Sequence, residues 1–408
     1  MSRQAEKDKK KIIFVLPHSF ESFFPKIKQD INNIRELDHF STRYIDFMQT
    51  HSGKYEFELW VLSSKIKKTI RIIHRKGFPI IVFPRDLPLF LPLETSRSML
   101  KEMKKRAEQE KGIIWHINSY YLIMSDSISR LLHKKHQNFA LHHRGGGFSL
   151  KALPYSIYKY GIMNRLNFRM ANLVIAENRD EEQRLINSYK VPADKVIYAP
   201  NPVEIIAVKQ GKALLRRKLN LPLDKKIIIY AGRLMKGKGV VLLMNSMKKY
   251  LKDNKDILFI MLGDGKARLA IEKIIKREKI YNAKVISWVA RKKIFEYYAA
   301  SDLFIHPNKN TKFEGTPNAL IEAQGSGLPI AGFNVGGVRD VVKDGYSGYL
   351  ERSMSIDEFA KEAIFLVKNQ DKLLQLGKNA MKNYKKNYHA NKTLKTYLLM
   401  YDLLSKEK

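Results

Sequence analysis

Two glutamates separated by seven residues, Glu314 and Glu322, enclose the predicted start of a helix. Thr316 is a good N-cap, and Pro317 suits the first helical position, where its missing N–H costs nothing. The free N–H groups and positive dipole end of a helix bind phosphate, whereas a carboxylate accepts hydrogen bonds from sugar or ribose hydroxyls. The segment therefore indicates a site for a phosphorylated sugar or a nucleotide. Taken alone, the two glutamates fit better as a first-turn carboxylate and a surface residue.

A second candidate site is a glycine-rich turn that carries two cations. The strand predicted at 227–231 runs into Gly232 and Arg233, and Lys238 precedes a helix predicted from Val240. Strand, glycine-rich turn and helix commonly cradle phosphate, although the Gly-Lys-Ser/Thr triplet of a P-loop is missing from this sequence. Arg233 and Lys238 would stabilise the negative charge that develops on a departing nucleoside diphosphate.

The elements that would position these residues alternate along the chain. Short apolar runs rich in β-branched residues are separated by helix-length stretches, which is the pattern of buried parallel strands in βαβ units. The predicted fold class is α/β, with two doubly wound Rossmann-like domains. The predicted strands are 12–16, 57–62, 80–83, 113–117, 139–142, 173–176 and 195–198 in the first half, and 227–231, 257–262, 285–287, 303–306 and 329–333 in the second.

The domain boundary is predicted near Pro200 and Pro202, which would end the last strand of the first domain and stiffen its exit. A length of 408 residues suits two domains. We predict a first domain over 1–202, a second over 203–385, and a C-terminal helix over 386–408 that packs back toward the first.

Composition and charge narrow the class of protein. Hydrophobic residues make up 44% of the chain, and it has no cysteine, which excludes disulfides, thiolate metal sites and cysteine nucleophiles. The net charge of +35 is spread over both halves, since residues 1–200 hold 35 basic and 20 acidic side chains and residues 201–408 hold 40 and 20. Such a field attracts nucleic acid, anionic lipid or phosphorylated substrates, or it reflects a lysine-rich surface with no particular partner.

Membrane contact is a further question that the sequence raises. No apolar run reaches the ~18–20 residues of a membrane-spanning helix. The charged residues 1–11 lead into only a short apolar run, which predicts a cytoplasmic protein without a signal peptide. Residues 65–76, KIKKTIRIIHRK, predict a helix. It would either cover a sheet with a solvated basic face, which we favour, or lie on an anionic membrane.

Five elements of the second half resemble, in order, the C-terminal domain of retaining family-4 glycosyltransferases of the GT-B fold. They are the turn at 232–239, the Gly-Asp-Gly turn at 263–265, the segment 298–307, the two glutamates at 314–322, and the glycine-rich stretch at 336–348. The resemblance implies two Rossmann-like domains facing each other across a cleft. The first would lie on the acceptor side, and the second would bind a nucleotide sugar.

The resemblance also assigns contacts with the donor. Arg233 and Lys238, beside Gly232, would hold the pyrophosphate, Glu314 would bind hydroxyls of the transferred sugar, and Glu322 would bind the ribose. The phosphates and the sugar would also contact the loop backbone at Gly315, Thr316, Pro317 and Asn318.

The chemistry implied by the resemblance retains the anomeric configuration, by front-face attack with the leaving phosphate helping to deprotonate the acceptor. No Asp-X-Asp motif occurs in the sequence. We therefore expect a metal-independent enzyme with no cofactor, in which arginine and lysine replace the cation.

The first half matches the family less closely. The family has a glycine-rich loop after its first strand, but residues 17–24 contain no glycine, and residues 41–44 only weakly resemble the start of its first helix. His142 and His143 lie where the family places a histidine facing the donor sugar. We prefer His143 because it lies just past the predicted strand, and the glycines at 145–147 would let a ligand approach the backbone closely.

The expected function is transfer of a sugar from a UDP- or GDP-sugar to a glycan, lipid-linked or cell-envelope acceptor by a hexosyl- or N-acetylhexosaminyltransferase. Such an enzyme would act in the cytoplasm or peripherally at the inner face of the cell membrane, without nucleic acid. One alternative is another GT-B enzyme, either a sugar-nucleotide epimerase or a phosphorylase with lysine-bound pyridoxal phosphate. The other is a basic nucleic-acid-binding protein, which the diffuse charge and the missing zinc-ligand and RNA-recognition patterns disfavour.

Overall fold

The computed structural model describes residues 9–19, 30–86, 93–119, 122–143, 154, 157–309 and 315–406, apart from the side chains of Phe40, His143 and Tyr160. Contacts within the chain divide it into two compact units. The first comprises Met1–Pro200 with Leu394–Lys408, and the second comprises Asn201–Thr393.

The first unit is built on one sheet. Its described strands are β1 (Lys10–Ser19), β2 (Tyr55–Ser63), β3 (Ile70–Ile73), β4 (Pro79–Pro84), β5 (Ile114–Asn118), β6 (Phe139–His143), β7 (Leu173–Ala176) and β8 (Val196–Tyr198). They lie in the order β3-β4-β2-β1-β5-β6-β7-β8, and β3 pairs antiparallel to β4 whereas the other neighbours are parallel. The apolar strands are buried, as expected for parallel strands covered on both faces.

Residues 65–76 do not form the predicted helix, so both interpretations of a helix there are wrong. The structure has the edge strand β3, in which Ile72 is buried while Arg71 and Ile73 are exposed. Alternating burial and a high content of β-branched residues suit a strand better than a helix. Pairing with β4 decides the outcome, because it satisfies backbone groups that a sequence pattern cannot assign.

Helices of the first unit connect these strands. They are α1 (Phe40–Ser52), α2 (Arg97–Gln109), α3 (Ile123–Lys134), a π-helical segment (Ile157–Met163) that continues into α4 (Asn164–Met170), and α5 (Arg179–Asn187). The start of α1 is fixed by a capping box, in which the His39 ring accepts from Ser41 N and Thr42 Oγ1 accepts from His39 N.

The second unit has a fully parallel sheet. Its strands are β9 (Lys226–Ala231), β10 (Ile257–Leu262), β11 (Ala283–Ile286), β12 (Leu303–His306), β13 (Ile330–Phe333) and β14 (Gly348–Glu351), in the order β11-β10-β9-β12-β13-β14. This is the doubly wound order of a Rossmann-like domain. β14 was not predicted, because Gly348 and Glu351 interrupt its apolar pattern.

Helices α6 to α14 complete the fold. They are α6 (Lys212–Lys218), α7 (Val240–Asp253), α8 (Arg268–Arg277), α9 (Arg291–Ala300), α10 (Asn318–Gly325), α11 (Gly336–Val341), α12 (Ile356–Lys368), α13 (Gln370–Asn383) and α14 (Ala390–Leu404). Among the described residues, no helix has both the length and the apolar character needed to cross a membrane.

The unit boundaries lie at 200 and 393, against the predicted 202 and 385. The chain just before 393 stays with the second unit because Tyr384 Oη donates to Val203 O (3.3 Å) and Val203 forms a β-bridge with His389. Within the first unit, Tyr397 Oη of α14 donates to Ala199 O (3.2 Å). These contacts join residues far apart in sequence, which a local pattern does not reveal.

Candidate active site

The candidate site lies where the strand order of the second sheet reverses. β9 and β12 are neighbours, with Leu303 opposite Ile228 and Phe304 opposite Ile229, although two other strands separate them in sequence. Ligands of doubly wound sheets bind at the carboxyl ends of strands at such a switch point. Both predicted elements, the turn after β9 and the loop before α10, leave the sheet at this edge.

The turn after β9 brings its cations to the switch point. Gly239 has φ of +75°, and a Cβ there would lie 2.5 Å from Pro307 O, just beyond β12. Only glycine tolerates both the left-handed conformation and this close approach. Arg233 is exposed and Lys238 is half-buried.

A second turn, after β10, supports the first. A Cβ on Gly263 would lie 2.0 Å from Gly232 O, and Leu234 N donates to Asp264 O (2.8 Å). Asp264 accepts from Ser287 Oγ (2.7 Å) and Arg268 Nη1 (3.3 Å), and these contacts lower the pKa of its carboxyl group. The turn after β10 therefore holds the backbone of Gly232 and Arg233 in place.

The helix at the site begins one residue later than predicted. The N-cap of α10 is Pro317, with no side-chain capping bond, and Asn318 is its first residue, so the assignment of Thr316 as N-cap is wrong. The loop before it is instead fixed by packing, since a Cβ on Gly337 would lie 2.8 Å from both Gly315 O and Thr316 Cα. The Asn318 side chain accepts from Asn201 Nδ2 (3.1 Å).

Glu322 lies inside α10 and is buried to 9% exposure, which excludes the interpretation as an ordinary surface residue. Its carboxylate accepts from Tyr298 Oη (3.4 Å) and lies 3.8 Å from Arg291 Nη2. Burial, together with the Glu322 charge, raises the pKa of Tyr298 well above its ordinary value, so the hydroxyl remains a donor. The sequence did not indicate Arg291 as a residue of the site. The one available signal was its position at the start of α9, the helix that carries Tyr298.

His142 belongs to a buried polar chain in the first unit. Its Nδ1 lies 3.0 Å from His116 Nε2, and its Nε2 lies 3.5 Å from Glu177 Oε1. His116 Nδ1 lies 2.8 Å from the hydroxyl of Tyr401, in α14. These contacts tie β5, β6 and α14 together.

Three predicted features lie wholly or partly outside the described residues. They are Glu314, the glycines at 145–147, and the side chain of His143, whose backbone ends β6 opposite Ala176. Their proposed roles stay predictions.

Part of the chain is similar in sequence to known glycosyltransferases. A profile of the family described as "Glycosyl transferases group 1" matches residues 211–383, within the second unit. The chain is 24% identical over 233 residues to D-inositol 3-phosphate glycosyltransferase of Thermobispora bispora, covering 52% of each chain. It is 27% identical over 209 residues to UDP-Gal:alpha-D-GlcNAc-diphosphoundecaprenol alpha-1,3-galactosyltransferase of Escherichia coli, covering 50% of this chain and 52% of that one. The chain spans about half the length of these curated relatives.

Solved structures match the chain over nearly its whole length. A glycosyltransferase from Rickettsia africae ESF-5 has a TM-score of 0.73 at 16% identity, covering 98% of this chain and 100% of that one. Anabaena Alr3699/HepE, solved in complex with UDP-glucose, has a TM-score of 0.69 at 15% identity, covering 97% and 100%.

The two doubly wound units and the site at the switch point of the second define a protein of the GT-B fold. Within the second unit, residues 211–383 match the glycosyl transferases group 1 family.

Proposed function

We propose that this protein is a retaining glycosyltransferase that moves a hexosyl or N-acetylhexosaminyl group from a UDP- or GDP-sugar to a glycan, lipid-linked or cell-envelope acceptor. One observation carries the proposal: the turn that bears Arg233 and Lys238 packs at Gly239 against Pro307, at the switch point from which the α10 loop also leaves. Cations and helix N–H groups converging on one sheet edge suit a nucleoside diphosphate.

The names of similar proteins support this choice of substrates. The relatives from Thermobispora bispora and Escherichia coli carry glycosyltransferase names, and the Anabaena protein was solved with UDP-glucose. The Escherichia coli relative is named for a diphosphoundecaprenol acceptor. A lipid-linked acceptor would place the enzyme at the cytoplasmic face of the membrane, where the +35 charge favours anionic lipid.

In the proposed reaction, the bond from the sugar C1 to the β-phosphate oxygen breaks as the acceptor oxygen bonds to C1 on the same face. The acceptor proton passes to the departing phosphate oxygen, and the leaving group keeps the electron pair of the broken bond. Arg233 and Lys238 would stabilise the charge that develops on the diphosphate. Glu322 would bind ribose hydroxyls, Glu314 would bind the transferred sugar, and His143 would face that sugar.

A panel of nucleotide sugars tests the proposal. A ligand that binds the native state raises its stability by mass action, so the true donor should raise the melting temperature without any acceptor. The Arg233→Ala/Lys238→Ala variant should lose most of this shift in melting temperature. In the wild type, the nucleotide sugars that stabilise the protein should also be the ones from which nucleoside diphosphate is released. A panel in which no nucleotide sugar stabilises the protein or is turned over would contradict the proposal.

A further inference from the structure

The helical segment from Ile157 through α4 exposes four large apolar side chains. Apolar residues point outward, since Ile157, Tyr158, Ile162 and Leu166 are 53%, 36%, 55% and 44% exposed. We call these four residues the apolar patch. A helix that covers a sheet in water normally buries such residues and exposes its polar ones.

The inward face of the same segment combines two apolar side chains, Met163 and Phe168, with three polar ones, Lys159, Asn164 and Asn167. Lys159 is fully buried, and its ammonium group contacts the Asp126 carboxylate and donates to Leu122 O (3.1 Å). Asn167 Nδ2 donates to the same Asp126 oxygen (2.6 Å), and Asn164 is also buried. Rolling the segment to hide the apolar patch would break this ion pair, so the buried contacts hold the patch outward.

The stretch of sequence that contains the patch is basic. Arg165 and Arg169 are exposed on the same outward face. Residues 127–176 contain no Asp or Glu, whereas their basic residues are Arg130, Lys134, Lys135, Arg144, Lys151, Lys159, Arg165 and Arg169. Outward apolar side chains flanked by arginine are typical of segments that lie in the interface of an anionic membrane.

We propose that the apolar patch, with Arg165 and Arg169, is the surface through which the first unit binds anionic phospholipid. A second copy of this chain fits the patch less well, because pairing would bring the arginines of both copies together. Binding of the patch to the membrane would bring the enzyme to a lipid-linked acceptor. This link to the acceptor rests on the proposed function, whereas the binding of phospholipid does not.

Vesicle flotation tests the proposal on the full chain. Wild-type protein should float with vesicles of phosphatidylcholine and phosphatidylglycerol in equal parts at low salt, and much less with phosphatidylcholine alone. Ile162→Ser/Leu166→Ser should weaken binding by about tenfold or more. Arg165→Gln/Arg169→Gln should weaken it about tenfold at low salt and little at high salt. The matched control is Leu242→Ser/Leu269→Ser, which removes two leucines of the second unit that are 51% and 70% exposed.

Fluorescence gives an independent measure of insertion. Trp60 and Trp115 are fully buried and Trp288 is 70% exposed, so a Trp288→Phe background leaves only buried indoles. The emission of Tyr158→Trp in that background should shift to shorter wavelength with anionic vesicles and be quenched by brominated lipid.

Three results would overturn the proposal: wild-type protein that does not float, a patch variant that floats like the control variant, or a Tyr158→Trp variant whose emission brominated lipid leaves unchanged. Self-association seen by sedimentation and lost in the patch variant, without vesicle binding, would assign the patch to a second copy instead. Donor-induced stabilisation should be equal in all variants. Its absence from the wild type would count against the proposed function and not against the lipid surface.

Discussion

The hydroxyl of Tyr298 and the carboxylate of Glu322 lie 3.4 Å apart, on the helices that precede and follow β12. Arg291, also on α9, contacts the other carboxylate oxygen at 3.8 Å and donates to Glu204 O (2.5 Å). One helix therefore orients the carboxylate that the next helix presents at the switch point. Donor binding should depend on this support as well as on Glu322 itself.

Tyr298→Phe should weaken donor binding about two- to tenfold, because it removes one hydrogen bond of about 0.5–1.5 kcal/mol that orients Glu322. The measurement is the Kd of the donor by calorimetry. Tyr297→Phe, which removes the neighbouring hydroxyl of the same helix, serves as the control and should bind normally. Equal affinities of wild type and Tyr298→Phe would show that the hydrogen bond does not matter for the donor.

Arg233→Ala and Lys238→Ala should each cost about 3–4 kcal/mol of transition-state stabilisation, on the scale of a lost charge contact in an active site. The measurement is kcat/KM for transfer or donor hydrolysis. Lys255→Ala is the matched control, because this exposed lysine precedes β10, at the opposite edge of the sheet. Activities within about threefold of wild type in both variants would remove these residues from the site.

The two glutamates should separate kinetically. Glu314→Gln should lower kcat more than donor affinity, because the residue would contact the transferred sugar, whereas Glu322→Gln should mainly raise KM through the ribose. Glu322 is buried beside Arg291, so thermal unfolding must first show that the variant is folded. The reverse kinetic pattern would exchange the two roles.

The buried pair of Lys159 and Asp126 should be costly to break. Lys159→Met should destabilise the protein by about 3–5 kcal/mol, because it leaves the Asp126 charge buried without its partner, and Lys159→Met/Asp126→Leu should recover most of the loss. Denaturant unfolding measures both. If Lys159→Met is as stable as Lys159→Met/Asp126→Leu, leaving the Asp126 carboxylate without its partner does not lower the free energy of unfolding.

Metal chelation should leave activity unchanged, because Arg233 and Lys238 would supply the positive charge that a cation supplies elsewhere. The measurement is the initial rate of transfer with and without EDTA, repeated after Mg²⁺ or Mn²⁺ is added. A loss of activity in EDTA that a divalent ion restores would contradict metal-independent transfer.

The apolar and β-branched runs of the sequence determined most of the fold. Strands such as Ile257–Leu262 and Leu303–His306 have their predicted bounds, because buried parallel strands read as continuous apolar runs. The cations of the turn after β9 and the helix with Glu322 were also evident, since glycine spacing and helix-start residues are local signals.

Contacts between distant residues decided the rest. Part of the basic run at 65–76, Ile70–Ile73, is a strand because β4 offers it backbone partners. The loop before α10 packs closely against Gly337, which lies outside the segment that predicted the helix. The outward apolar patch is set by Lys159 reaching Asp126, and the orientation of Glu322 is set by Tyr298 and Arg291. A sequence pattern shows which residues of one segment are polar and which are apolar. Whether a charged side chain can be buried depends on a partner that another segment supplies.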